Sequence, residues 1–348
     1  MSVKLNYSLT PHNTFGFTSH AQYAWHIQEE ADLLKALALC KDNAWQWRVL
    51  GGGSNVVLEP QLQGLTLLME ITGKRLFKQT PTHWIIEVGA GENWHEFVAW
   101  TIGQGYFGLE NLALIPGTCG AAPIQNIGAY GAEVGNFIES VRVLDTENLQ
   151  NAAAWLEIKQ AQCHFSYRNS FFKEKAQRYI VTHVTFALPK KWIANLSYAE
   201  LNQSVRSLGK DQATIQAQDI FEAVCAIRQA KLPDPAVIGN AGSFFHNPII
   251  DGADLERLKK QYPSLVSYPT NAVNGEARYK LAAGWLIDHA GLKGYRQGNV
   301  GVYEKQALVL VNHGNGTSHE LLSLAQEIKA KIFATYGVTL SQEPVIFS

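Results

Sequence analysis

The sequence predicts an α+β protein of two or three domains, and three observations carry that expectation. The chain has 348 residues, and at roughly 150 residues per domain this is enough for more than one buried core. Short extended runs alternate with stretches whose apolar residues recur at helical spacing. No internal repeat and no low-complexity tract appears, which excludes solenoids and propellers.

The elements follow in order. Residues 28–39 place Leu33, Leu34 and Leu37 on one helical face, and a strand over 47–50 runs into the string GGGSN at 51–55, after which 56–58 resume an extended pattern. Residues 84–88 read as strand, 89–91 as a turn, and Trp94, Phe97, Val98 and Ile102 as the apolar stripe of a helix. From 108 to 135 the chain is punctuated by glycine and polar where a core element would be apolar. That pattern predicts a long structured loop with short helical turns, a kind of segment that usually carries function.

Strands are expected at 141–144 and 179–188. A helix over 219–231 is stopped by Leu232-Pro233-Asp234-Pro235, because proline has no amide hydrogen and restricts its predecessor. This is the clearest break in the chain. Beyond it, Leu281, Trp285 and Leu286 mark a helix ending at Gly291, and 308–312 a buried strand. Thr317 with Glu320 forms a capping-box pattern, Leu321, Leu324, Ile328 and Ile332 make one face, Gly337 ends that helix, and 338–347 read as extended.

Composition narrows the partners. The chain carries 29 Lys+Arg against 30 Asp+Glu, a formal charge of −1, with only 17% charged residues and no block of like charges. Neither nucleic acid nor another polyanion is an expected partner. The first residues lack the apolar core of a signal peptide, and the longest late apolar run, 307–311, is too short to span a bilayer. A cytoplasmic protein with no membrane partner is therefore expected. Cys40, Cys119, Cys163 and Cys225 form no C-x-x-C pair, so neither a metal site nor a disulfide framework is expected. Most of the 9 Trp, 13 Tyr and 15 Phe are assigned to core packing.

P-loop, zincin and α/β-hydrolase motifs are absent. Gly89 and Gly91 stand at a strand-to-helix turn with Glu110 at a suggestive distance, but Trp94 replaces the third glycine of the dinucleotide fingerprint, and an indole there would block close packing. The GGGSN string lies between two extended segments. Gly51, Gly52 and Gly53 free the backbone to turn amides toward an anion, and Ser54 and Asn55 add donors, which suits a pyrophosphate. Taken alone, a tight hairpin explains the string equally well. A second glycine-rich loop, Pro116-Gly117-Thr118-Cys119-Gly120 followed by Gln125, Asn126, Gly128, Ala129, Tyr130 and Gly131, tilts the balance toward a large phosphate-bearing cofactor.

The strings GGGSN, VGAGENW, GLENLALIPGTCGAAPIQNIGAYG, YRNSFFK, KLPDP, NAGSFFHNP and KLAAGWLIDHAGLKG resemble the UDP-N-acetylenolpyruvoylglucosamine reductase family, and the likeness covers nearly the whole chain. The resemblance implies a vanillyl-alcohol-oxidase-type (PCMH-type) FAD-binding fold with a separate α+β substrate-binding domain. The chain is expected to divide into a first FAD-binding subdomain of residues 1–70, to which 337–348 return, a second of 71–218, and a substrate-binding domain of 219–336. It places FAD between the GGGSN loop and the loop at 108–135. It further implies a monomeric, NADPH-consuming enzyme acting on UDP-N-acetylglucosamine enolpyruvate. Hydride would reach the terminal carbon of the enolpyruvyl ether, and charge would develop on the carbon beside the carboxylate.

By the same resemblance Ser243 is the proton donor, Arg168 polarises the substrate carboxylate, and Glu343 assists enolate stabilisation or protonation. A planar guanidinium binds a carboxylate bidentately and stays charged, which fits Arg168 to that role. The sequence departs from the family after Glu343, where Pro344 replaces the common valine. Tyr167, Tyr198, Lys231, Asn247, Tyr268, Lys293 and Gln306 are implied for the nucleotide sugar, and Tyr198, in the insertion after Trp192, marks the family's longer type. A flavin oxidase of the same cofactor fold, or a binding module without turnover, are the alternatives.

Overall fold

Strand periodicity dominates the first half of the structure. In Tyr179–Pro189, Thr182, Val184, Phe186 and Leu188 are buried while His183, Thr185 and Ala187 are not, the alternation that one covered face imposes on a strand. The computed structural model describes residues 3–149, 154–175, 177–273 and 275–348. It separates into two units, one of Met1–Tyr7, Ala21–Gly53 and Gln63–Ala230, the other of Ser8–His20, Ser54–Leu62 and Lys231–Ser348.

Two larger sheets shape the first unit. One has the order Lys4–Ser8, His20–Ile27, Gln61–Met69, Trp47–Leu50, the last pair parallel. The other is antiparallel and runs Trp155–Lys159, Ile138–Asp145, Tyr179–Pro189, His83–Gly89, Lys74–Gln79. Helix Trp94–Gly103 buries Trp94, Phe97, Val98 and Ile102 as its spacing predicts, and Asn93 caps it by accepting from Glu96 N. The Trp94 indole donates to Leu112 O at 2.8 Å, so the position that refuses a dinucleotide turn is filled by core. Helix Glu30–Asp42 differs from expectation: its buried face is Leu33, Ala36, Leu37 and Cys40, and Leu34 is 40% exposed. The i, i+3, i+4, i+7 set outweighs a neighbouring leucine.

The second unit has its own core around Phe15, Phe17, Phe244, Phe245, Leu286, Leu310 and Ile328. Its sheets run Gly239–Ser243, Val309–Asn312, Val300–Val302, Arg296–Gln297, and Ile249–Asp251, Glu276–Leu281, Ser267–Val273. Leu281 thus closes a strand, and the following helix is Ala283–His289. Helix Ser318–Tyr336 carries the expected capping box, with Thr317 and Glu320 bonded reciprocally, and ends at Gly337 with φ +70°. Within 338–347 only Val345–Phe347 is a strand, and it pairs parallel with Val56–Leu58. No helix among the described residues is long and apolar enough to cross a membrane.

Candidate active site

The turn at 51–53 leaves the strand Trp47–Leu50 and presses against the second glycine-rich loop. A Cβ on Gly52 would stand 3.0 Å from the Gly117 Cα, and one on Gly51 2.8 Å from Thr118 Oγ1. Both loops therefore need bare backbone where they meet. Residues 116–120 in turn lie along 90–94, with Trp94 N donating to Gly117 O at 3.0 Å, Cys119 N to Glu92 O at 2.9 Å and Gly120 N to Ala90 O at 2.9 Å. The result is a rigid ledge of glycine backbone with Gly52 exposed, the donor type that a pyrophosphate requires. The residues present fit FAD in that respect.

The loop continues into a small hairpin in which Gly128–Ala129 pairs with Ala132–Glu133. Its turn residues Tyr130 and Gly131 both have positive φ, +48° and +82°; for tyrosine that conformation costs about 1–2 kcal/mol and is held by its surroundings. Asn126, buried and also left-handed at φ +47°, braces the hairpin: its amide nitrogen donates to Glu133 Oε2 and Ser166 O, both at 3.0 Å, and its oxygen accepts from Gly135 N. Arg168, itself at φ +53° in the tight turn of Ser166 and Asn169, donates from Nη2 to Gly128 O at 2.7 Å and lies over the Tyr167 ring.

A second arginine, missed in the sequence, meets the same hairpin. Arg228, on helix Ala217–Lys231, is hydrogen-bonded to Tyr130 and donates from Nε to Leu114 O at 3.2 Å. Burial lowers its pKa, and nearby Arg168 acts the same way. Among the described residues no carboxylate forms an ion pair with it. Burial also pushes the Tyr130 hydroxyl up to about 12. Arg228 stands three residues before Lys231, so its helical register with a candidate residue was the available signal.

The insertion that carries Tyr198 is tied to this hairpin. Asn111 Nδ2 donates to Tyr130 O at 2.8 Å and to Asn195 O at 2.9 Å, Asn195 Nδ2 donates to Gly131 O at 3.0 Å, and Tyr198 sets its ring edge-on to Tyr130 at 5.1 Å. Glu110, only 2% exposed, accepts from the Trp192 indole and from Gly108 N. Burial raises its pKa above the unfolded value of 4.5. Folded protein therefore binds more protons at this group above pH 4.5 than unfolded protein does, and stability from it falls as pH rises through that window. Denaturant midpoints of Glu110→Gln, measured against the parent across this range, should shift in the variant's favour as pH rises; a pH-independent difference would contradict the assignment.

In the second unit, Asn240 is buried and shapes the turn before Ser243. Its Nδ2 donates to Pro233 O and Ile238 O, its Oδ1 accepts from Gly242 N, and Gly242 adopts φ +68°. The strand slips register between Asn240 and Ser243, leaving Ser243 exposed beside the buried Phe244 and Phe245. Glu343 N donates to Phe244 O at 2.8 Å, and Gln342 bridges Phe245. The structure thus joins the Ser243 and Glu343 segments directly by backbone. Asn55 is drawn to the same place, its O accepting from Val345 N at 3.1 Å. Asn247 caps the helix Ala283–His289 by accepting from Ala283 N, Lys293 pairs with Asp288 at 3.0 Å, Gln306 Oε1 accepts from Leu308 N, and Tyr268 is 51% exposed.

Two family models match separate parts of the chain. Residues 21–148 match the family model described as FAD binding domain, and residues 234–347 match that of the UDP-N-acetylenolpyruvoylglucosamine reductase C-terminal domain. Proteins named UDP-N-acetylenolpyruvoylglucosamine reductase include one from Polynucleobacter asymbioticus, 49% identical over 98% of this chain and 95% of its own length. Another, from Cupriavidus pinatubonensis, is 50% identical over 98% of each chain. The crystal structure of the reductase from Thermus caldophilus aligns over 100% of this chain and 98% of its own with a TM-score of 0.67 at 22% identity, a likeness of fold. A mixed α and β chain thus carries a FAD-binding domain over its first part and the reductase C-terminal domain over a later one. With relatives at half identity along almost its whole length, the chain belongs to the UDP-N-acetylenolpyruvoylglucosamine reductase family.

Proposed function

We propose that this chain reduces UDP-N-acetylglucosamine enolpyruvate to UDP-N-acetylmuramate, a peptidoglycan precursor, using bound FAD and NADPH as the reductant. The observation that carries the reading is the meeting of Arg168 and Arg228 on one hairpin, through Gly128 O and Tyr130 respectively. A guanidinium stays charged and binds a carboxylate bidentately, so two of them on so short a segment suit a substrate that brings its own negative charge. Curated relatives of the same name at near-complete coverage favour this over a flavin oxidase.

The glycine ledge of Gly51, Gly52, Gly53, Pro116, Gly117 and Gly120, with Ser54 and Asn55, would hold the FAD pyrophosphate. When bound, FAD supplies passage of an electron pair from NADPH to the terminal carbon of the alkene. An enol ether is electron-rich and resists that addition. Arg168, binding the adjacent carboxylate, stabilises the negative charge that grows on the neighbouring carbon. The Ser243 hydroxyl delivers the proton to that carbon, and Glu343, on the backbone segment bonded to Phe244, supports the transfer. One NADPH and one proton are consumed for each double bond reduced. Lys231, Lys293, Tyr198 and Tyr268 are proposed for the diphosphate and sugar.

Purified protein should show a bound-flavin absorbance spectrum and oxidise NADPH rapidly only when the enolpyruvyl nucleotide is added. Absence of flavin, or NADPH oxidation indifferent to the nucleotide, would overturn the reading.

A further inference from the structure

His95 is the second residue of helix Trp94–Gly103 and has no part in the reaction as derived. Its ring lies flat on Phe221, the centroids 5.3 Å apart and the planes 4° from parallel. In that plane Nδ1 accepts from the Leu114 amide at 3.0 Å. A ring nitrogen that accepts carries no proton, so the neutral ring keeps its hydrogen on Nε2. Burial lowers the His95 pKa; Glu96 pulls the other way, and Arg228 adds to the lowering.

Leu114 occupies the left-handed region at φ +57°, a conformation that a leucine adopts only when its neighbours hold it there. The same residue receives Arg228 Nε on its carbonyl at 3.2 Å. Leu114 is thus gripped from both sides, by an imidazole on its amide and by a guanidinium on its carbonyl.

We propose that His95 is a positioning residue for Arg228: its unprotonated Nδ1 holds Leu114 in the left-handed conformation, which aims the carbonyl at Nε and so sets how the remaining guanidinium nitrogens are presented at Tyr130. The inference rests on the proposed reading that Arg228 belongs to the substrate site.

Two variants separate the ring from its acceptor. His95→Phe keeps a flat ring on Phe221 and removes the lone pair; His95→Asn restores an oxygen near the place of Nδ1. In flavin-loaded protein, His95→Phe should lose about tenfold in kcat/KM, and His95→Asn should recover to within about threefold of the parent. In an Arg228→Met background the His95→Phe change should cost nothing further. Nitrogen-15 NMR supplies a readout independent of turnover: the His95 ring should be the Nε2–H tautomer and should titrate at higher pH in Arg228→Met. No loss in His95→Phe, failure of the Asn variant to rescue, additive losses in the double variant, or an Nδ1–H ring would each overturn the proposal. Should the parent fail to reduce the enolpyruvyl nucleotide, the functional reading falls, while tautomer and titration still decide the positioning role.

Discussion

Ser243→Ala should leave the bleaching of flavin absorbance by NADPH within about twofold of the parent and slow its recovery on adding the enolpyruvyl nucleotide by about a thousandfold. The asymmetry follows from what the side chain supplies. Its hydroxyl is proposed to give a proton to substrate carbon, a step that occurs only in the second half of the cycle. The backbone that presents it is shaped by others: Asn240 clamps Pro233 O and Ile238 O, Gly242 turns at φ +68°, and Phe244 is fully buried. Removing one exposed oxygen disturbs none of these contacts. Stopped-flow absorbance separates the two phases, and equal slowing of both would remove Ser243 from the proton-donor role.

Gly52→Val should purify with little flavin and bind added FAD about a hundredfold more weakly. A Cβ there meets the Gly117 Cα at 3.0 Å and its carbonyl carbon at 3.3 Å, both of them backbone. Gly117 cannot yield cheaply, because its carbonyl accepts from Trp94 N and its neighbours are bonded to Glu92 and Ala90. Overpacking of this kind costs about 1–3 kcal/mol, and relief by parting the loops would destroy the ledge that they form together. Gly103→Ala is the control. Nothing lies within 4 Å of its added Cβ, and it should keep full flavin. Flavin titration followed by fluorescence quenching measures both, and unaltered affinity in Gly52→Val would contradict the fit of this ledge to FAD.

Local physics made much of this protein readable. The helix Ser318–Tyr336 is announced by a cap, an apolar face and a terminal glycine that all lie within one segment. The glycines at 51–53 and 116–120 were readable as bare backbone because only glycine tolerates such approach. What eluded the sequence is what depends on distant pairing. Arg228 looks like any helical arginine until Leu114, 114 residues away, receives it. Glu110 stood at a suggestive distance from Gly89 and Gly91, and its carboxylate is bonded to Trp192 and Gly108. Leu34 and Leu281 were misplaced because apolarity does not say which face is covered, or where a strand yields to a helix.

The parallel pairing of Val345–Phe347 with Val56–Leu58 has a consequence for biosynthesis. Asn55 and Glu343, which meet through the Asn55 side-chain amide, lie 288 positions apart. A ribosome that has just produced Arg228 has already delivered both glycine loops, the hairpin and both arginines. It must still translate more than a hundred residues, roughly ten seconds of work at about 5–20 residues per second, before Gln342 and Glu343 reach Phe244 and Phe245. During that interval the residues of both glycine loops have been made, while the backbone partners of Phe244 and Phe245 have not, so the segment after the proposed proton donor is the last to be completed.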